Sequence, residues 1–226
     1  MNRMSESESM RSIVLMGGGG HAAVVADAAR EMGLHLLGFL DDDERASLPG
    51  AVHLGPIATV ADHVNHVAII HAAAGSADLR REWMRTVQRI AAESALMPIV
   101  HPSAVVSPSA VIGSGAFIGP LAVVNARATI GRGVIINTGA IVEHDCIIGD
   151  FAHIAPRAAL AVGAAVGGSA MVGCGAVVLP NRCVGDGATL GAGAVAVRDV
   201  PDNTTATGIP AVVMVNQATA QTSVLR

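Results

Sequence analysis

Taken in steps of six, the chain from Val106 to Leu190 carries an aliphatic residue at every stop: Val106, Ile112, Ile118, Val124, Ile130, Ile136, Val142, Ile148, Ile154, Leu160, Val166, Val172, Val178, Val184 and Leu190. Two positions before each stop stands a small residue, from Ala104 and Ala110 through Cys146 to Ala188; Val134 and Arg182 are the exceptions. Neither the strand period of two nor the helix period of 3.6 gives this pattern alone. A six-residue strand-and-corner unit stacked on itself gives it, the aliphatic residue filling the interior and the small one fitting the corner. Glycine follows the stop repeatedly, as at Gly113, Gly131, Gly149 and Gly167, where a bending backbone tolerates it best. The pattern predicts a parallel β-helix with an 18-residue coil.

Upstream the periodicity changes. An apolar run from Arg11 to Met16 leads into four glycines and His21, and Ala22 to Met32 reads as a helix with Val24, Val25, Ala28 and Met32 on its apolar side. Gly33 is its stop, and a second strand from His35 to Leu40 ends at three aspartates. Strand, glycine-rich turn, helix, strand and acidic end make one Rossmann-like βαβ unit. A third strand is expected from Val67 to Ala74. Ser76 then caps a helix from Ala77 to Glu93, with Leu79, Trp83, Val87 and Ile90 on the apolar face and Arg80, Arg81, Arg85 and Arg89 on a solvated basic one. The predicted organisation is therefore an unstructured lead-in over 1–10, an α/β domain over 11–100, a β-helix over 101–200 and a tail over 201–226. The boundary falls near Pro98 to Ser103, and Pro201 and Pro210 end regular stacking.

Composition narrows the function classes. At 226 residues there is room for one large or two modest domains with a real core. Net charge is −4, and all 14 basic residues are scattered arginines, which argues against nucleic acid or an anionic membrane as partner. The three cysteines (Cys146, Cys174, Cys183) lack ligand-like spacing and suit a reduced cytoplasm, and no apolar leader opens the chain. From Ala158 to Asn181 no residue is charged, yet the hexad register runs straight through, which a lipid-spanning helix has no reason to keep.

Gly17 to Ala22 fits G-x-G-x-x-A, with Asp41 about twenty residues on, the arrangement in which bare amides and a helix N-terminus hold phosphate while a carboxylate holds a ribose or base. A tight turn without ligand and a nicotinamide dehydrogenase are the competing explanations. A nucleotide or nucleotide-sugar site fits better, because no second catalytic domain of the dehydrogenase kind follows. In the repeat, Val142 and Cys146 point inward, so His144 at the corner points outward between Glu143 and Asp145, as a general base requires. His153 precedes the inward Ile154 and is also expected to face out. Nine residues separate the two histidines, half a coil, so their cooperation needs a neighbouring subunit, which a trimer supplies. Metal is disfavoured because no third convergent ligand accompanies them; His35, His53, His63, His66 and His71 are expected at the surface or in loops.

Together, the hexads and the motifs GGGGH ending at His21, FLDD ending at Asp42, IVHPSA ending at Ala104, NT at Asn137, VEHDC ending at Cys146, IGDFAH ending at His153 and GIPA ending at Ala211 resemble the bacterial sugar acetyltransferases of the left-handed β-helix class. The resemblance spans Ser12 to Ala211. It implies acetyl-CoA as cosubstrate, no metal, a homotrimer, and transfer to the 4-amino group of a nucleotide-linked dideoxy amino sugar, GDP-perosamine ahead of UDP-linked acceptors. It further implies His144 as proton acceptor with Asp145 beside it and His153 at the thioester. Gly19, Gly20, His21, Asp41 and Asp42 would lie against the nucleotide sugar, and Val162, Cys174 and Ala192 along the cofactor. Valine at 162 departs from the glycine common there, and the segment just after Ala211 lacks the basic residue often found there, which turns attention to Arg198 for the cofactor phosphates. The alternatives are a sialic-acid-type O-acetyltransferase, a nucleotide-binding scaffold without catalysis, and a metal-dependent hydratase.

Overall fold

The computed structural model describes residues 12–214. The lead-in expected over 1–10 and the tail from 215 lie outside the described residues.

The N-terminal unit is a four-stranded parallel sheet, β3-β2-β1-β4, built from β1 (Ser12–Met16), β2 (His35–Leu40), β3 (His53–Gly55) and β4 (Ile69–Ala72). β3 was not expected; three residues are too few to carry a pattern. Helix α1 (Gly20–Glu31) starts two residues earlier than the apolar spacing suggested, and it buries Ala22, Val25, Ala26, Ala28 and Ala29 while leaving Val24 and Met32 part-exposed. Gly33, at φ +75°, ends it by donating its amide to Arg30.

Helix α2 (Ala77–Ile90) is capped by Ser76, whose hydroxyl accepts from the Leu79 amide at 3.4 Å. Its buried face is only partly the expected one, Val87 being the shared position. Arg80, Met84 and Val87 are buried, whereas Leu79 and Ile90 are exposed. The face is rotated because α2 packs against the β-helix as well as against its own sheet.

From β5 (Ile99–Val100) onward, two-residue strands wind into three parallel sheets whose neighbours are offset by 18 residues, as in Phe117↔Ile135↔His153. The hexad stops line the interior: Ile118, Val124 and every later stop through Leu190 are buried in one continuous cluster with the small residues of the corners. This is the parallel β-helix the pattern predicted, of the left-handed class that the resemblance implied. Glycine is obligatory where successive coils touch. A Cβ on Gly149 would stand 2.6 Å from the Gly168 amide nitrogen, in the coil above. Stacking runs past Pro201, since β22 (Thr205–Thr207) still pairs in parallel with Thr189–Leu190 before β23 (Val212–Val213) turns antiparallel.

The outward residues of the eight-stranded sheet form a column, Ile99, Phe117, Ile135 and His153, one coil apart. The first three are buried in one cluster with α1 and β1, so this face of the β-helix carries the N-terminal domain.

Candidate active site

His144 sits exposed at the corner between β12 (Ile141–Val142) and β13 (Ile147–Ile148), with Val142 and Cys146 fully buried on either side. Its Nδ1 lies 2.7 Å from Asp145 Oδ2. Glu143 reaches only the His144 backbone amide, at 3.4 Å, so the ring's carboxylate partner is Asp145. Asp145 is itself gripped from the coil below: Arg127 Nε donates to Oδ1 at 2.6 Å and Nη2 to Oδ2 at 2.7 Å. Arg127 first and His144 second hold the Asp145 carboxyl far below the usual carboxylate range, so it stays ionised. An ionised carboxylate only accepts, which makes Nδ1 the donor and, in the neutral ring, Nε2 the accepting nitrogen. Arg127 was not singled out in the sequence, although opposite charges spaced by one 18-residue coil would have revealed it.

The glycine-rich turn is shaped by contacts at one end and open at the other. A Cβ on Gly18 would meet the Phe39 ring at 2.6 Å, whereas Gly19 and Gly20 have nothing within 4 Å. Gly19 is the N-cap of α1 and supplies no side-chain cap, so the first amides of the helix gain no bond from the capping residue. Asp41 is engaged by the protein: Oδ2 accepts from the Gly18 amide at 2.6 Å and Oδ1 from the Asp43 amide at 2.8 Å. Asp42 spends one oxygen on the Ile57 amide, at 3.0 Å.

Three expectations change at the junction of the domains. His153 does leave the coil outward, but it meets the N-terminal domain instead of open solvent, and its Nε2 lies 3.1 Å from Asn137 Nδ2. Burial, then Arg80, push its pKa down to about 4. His71 is not a surface residue. It shares a strand face with Ile69 and is 1% exposed, and burial, His21 and Arg80 push it down to about 3. His21 stands edge-on to Phe117 with ring centroids 5.3 Å apart, and burial, His153 and Arg80 bring it to about 4. All three rings are therefore neutral near pH 7.

Arg80 is the third correction. Placed on a solvated face by its neighbours Arg81, Arg85 and Arg89, it is 1% exposed. Its guanidinium donates to the carbonyls of Gly133 (2.7 Å) and Phe151 (2.6 Å) in the β-helix and of Ala74 (3.0 Å) and Gly75 (2.7 Å) in its own domain. The signal was present: Ala77, Arg80, Met84, Val87 and Ala91 form an i, i+3, i+7 stripe with arginine in it. Arg81 lies over the Phe151 ring at 5.0 Å and bonds Ser169 Oγ, so α2 is fixed along a second corner.

A family model for the PglD N-terminal domain matches residues 12–87, and one for the bacterial transferase hexapeptide (six repeats) matches residues 127–161. Among solved structures, the acetyltransferase domain of PglB from Neisseria gonorrhoeae FA1090 in complex with acetyl coenzyme A is 36% identical, over 90% of this chain and 99% of that one, with a TM-score of 0.86. PerB from Caulobacter crescentus in complex with CoA and GDP-perosamine is also 36% identical, over 90% and 97%, with a TM-score of 0.85. This chain belongs to the PglD-like hexapeptide-repeat acetyltransferases. WeeI from Acinetobacter baumannii AYE, 24% identical over 89% and 99% with a TM-score of 0.78, agrees in fold. A search of curated proteins finds no match.

In this acetyltransferase the expected cofactor residues divide between two corners. Val162 stacks directly above His144, half-buried, and its carbonyl accepts from the Asn181 amide at 3.0 Å. Cys174 and Ala192, both exposed, stack on the corner at the other edge of the six-stranded sheet, where the Cys174 carbonyl accepts from the Gly193 amide at 2.8 Å. One protomer therefore does not bring Cys174 and Ala192 to His144, nor His153, which begins a strand of the eight-stranded sheet. Cys146 points into the core, donating to the Ala161 carbonyl at 3.2 Å, and burial pushes its thiol pKa up, which leaves it a poor nucleophile. Among the described residues no group of three or more His, Cys, Asp and Glu is placed to hold a metal ion, and no helix is long and apolar enough to cross a membrane.

Proposed function

We propose that the enzyme transfers acetyl from acetyl-CoA to the 4-amino group of a nucleotide-linked dideoxy amino sugar, GDP-perosamine first among the candidates, with His144 as general base. The observation that carries this is the His144–Asp145–Arg127 chain, which presents a fixed imidazole Nε2 at an exposed corner. The sugar and its nucleotide are supported by the PerB structure, which holds CoA and GDP-perosamine, and by the 36% identity over nine-tenths of the chain.

The open amides at Gly19 and Gly20 take the phosphates of the nucleotide, with His21 beside them. Asp41 holds the turn in shape, while Asp42 keeps one oxygen for the ribose or base. The amine attacks the thioester carbonyl, forming the C–N bond. His144 Nε2 accepts the amine proton, the C–S bond breaks, and the proton passes to the departing thiolate. General base catalysis of this kind contributes roughly 10²–10⁴-fold, with positioning supplying more.

The site is completed by a second copy of the chain in a homotrimer, with acetyl-CoA in the cleft between subunits. Support comes from the separation of His144 from His153, Cys174 and Ala192 within one protomer. It comes also from the exposed aliphatic residues Val105 and Ile141 on one sheet beside the His144 corner and Val111 and Ile147 on the other.

Titrating GDP- and UDP-linked 4-amino sugars with acetyl-CoA, while following free thiol, tests the assignment. Thiol release should depend on the amino sugar and favour the GDP-linked one. Release with neither sugar would contradict it.

A further inference from the structure

Arg127 and Asp145 stand one coil apart at the same corner, and both adopt left-handed backbone conformations, φ +59° and +63°. Such conformations recur at these corners, so they are a demand of the coil and not in themselves a sign of function. The side chains they carry are more informative. Arg127 closes a parallel two-bond fork on the Asp145 carboxylate, the geometry that fixes a carboxylate's plane as well as its position. One of the two oxygens so fixed, Oδ2, is the one that meets His144 Nδ1.

The molecule contains its own comparison. Arg132 and Asp150 are also 18 residues apart and also ion-paired, but Nε and Nη2 converge on the single oxygen Oδ2, at 3.0 and 2.9 Å. There the carboxylate additionally accepts from the Arg132 backbone amide, at 2.9 Å, which ties one coil to the next. Asp145 receives no such bond. The Arg127 amide goes instead to Ser109 Oγ, at 3.2 Å, so Arg127 is anchored from the coil beneath while both Asp145 oxygens are left to side chains. Above Asp145 stands Gly163, with no side chain to steady it. Removing Arg127 therefore leaves an exposed carboxylate restrained only by the ring it is meant to orient.

We infer that Arg127 is a positioning residue for acetyl transfer: its guanidinium fixes the Asp145 carboxylate, and through it holds the His144 ring with Nδ1 protonated and Nε2 free to accept. The inference rests on the assignment of His144 as base. Arg127 bonds the Asp145 carboxylate and Ser109, and acts on the ring through Asp145. Its contribution is to keep one ring orientation and one tautomer populated, which appears in turnover and not in substrate affinity.

The test compares the full-length wild-type chain with Arg127→Ala, Arg127→Lys, Arg132→Ala and His144→Asn, using acetyl-CoA and a GDP-linked 4-amino sugar. Arg127→Ala should lower kcat by ~10-fold or more while leaving both KM values within ~3-fold. Arg132→Ala, which breaks the other one-coil ion pair away from the histidine, should stay within ~2-fold of wild type. Lysine at 127, or guanidinium ion added to the alanine variant, should restore part of the loss. Nitrogen NMR of labelled histidine gives a readout that needs no acceptor: the Nδ1-protonated form of His144 should dominate in wild type and give way to a mixture in Arg127→Ala. Unchanged kcat in Arg127→Ala, an equal loss in Arg132→Ala, or a loss that neither lysine nor guanidinium repairs overturns the inference. Normal turnover by His144→Asn would instead overturn the assignment of the base.

Discussion

Arg80 Nε donates to the Gly133 carbonyl at 2.7 Å, out of reach of solvent, and this bond joins a helix of the N-terminal domain to a corner of the β-helix. The same guanidinium reaches Phe151, Ala74 and Gly75, so one side chain satisfies carbonyls on both sides of the junction. Burial, then Arg81, lower its pKa to about 10, which leaves it charged at neutral pH. These bonds tie α2, and with it the N-terminal domain, to the β-helix.

Arg80→Met should therefore cost at least about 3 kcal/mol in urea unfolding, since each orphaned buried acceptor costs ~1–3 kcal/mol. Arg80→Lys should recover only part, because an ammonium cannot reproduce the planar fork. Wild-type stability in Arg80→Met would show that the docking is carried by apolar packing alone.

Acid sensitivity should originate at the same junction. His21, His71 and His153 have folded pKa values of about 4, 3 and 4, below the ordinary 6.5. The unfolded chain then takes up protons first. The stability these neutral rings contribute is complete above about 6.5 and is lost as pH falls from there towards the folded values. Arg80, the cation facing all three, stays charged throughout this range. Unfolding measured at pH 7 and pH 5 should differ less in His71→Leu than in wild type; an unchanged difference would exclude His71 as a source.

Gly18 and Gly19 should separate folding from binding. Gly18→Ala drives a Cβ into the Phe39 ring and the Ala46 methyl, 2.6 and 2.9 Å away, and should cost about 1–3 kcal/mol of stability. Gly19→Ala meets nothing within 4 Å, so its Tm should hold while nucleotide-sugar affinity, read by calorimetry, weakens. Equal affinity in wild type and Gly19→Ala would remove Gly19 from the substrate site.

The β-helix was legible because its determinant is periodic: Val142 and Cys146 declared which side of the coil His144 leaves, and the structure agrees. What escaped was non-local. Arg80 and His71 look like a solvated helix face and a surface histidine until the β-helix is laid against them; in α2 the Ala77, Arg80, Met84 and Val87 stripe was a local hint, and β4 offers none. His153 was placed correctly with respect to its own coil and wrongly with respect to its surroundings, for the same reason. Arg127 lay within reach, since the 18-residue period that aligns Val142 with Leu160 also aligns Arg127 with Asp145.

The proposed direct transfer gives Cys146 no chemical task. Cys146→Ala removes a thiol already bonded inward to the Ala161 carbonyl and should keep turnover within ~3-fold of wild type. A burst of thiol release with acetylated enzyme, abolished in that variant, would indicate a covalent route.

His144→Asn is the most direct test of the account. The asparagine keeps a polar side chain at the corner but offers no basic nitrogen. Steady-state thiol release and calorimetric binding of the nucleotide sugar should be measured on the same preparation. Turnover should fall by ~10²-fold or more with nucleotide-sugar affinity essentially unchanged. Turnover near the wild-type rate would contradict the assignment of His144 as the base.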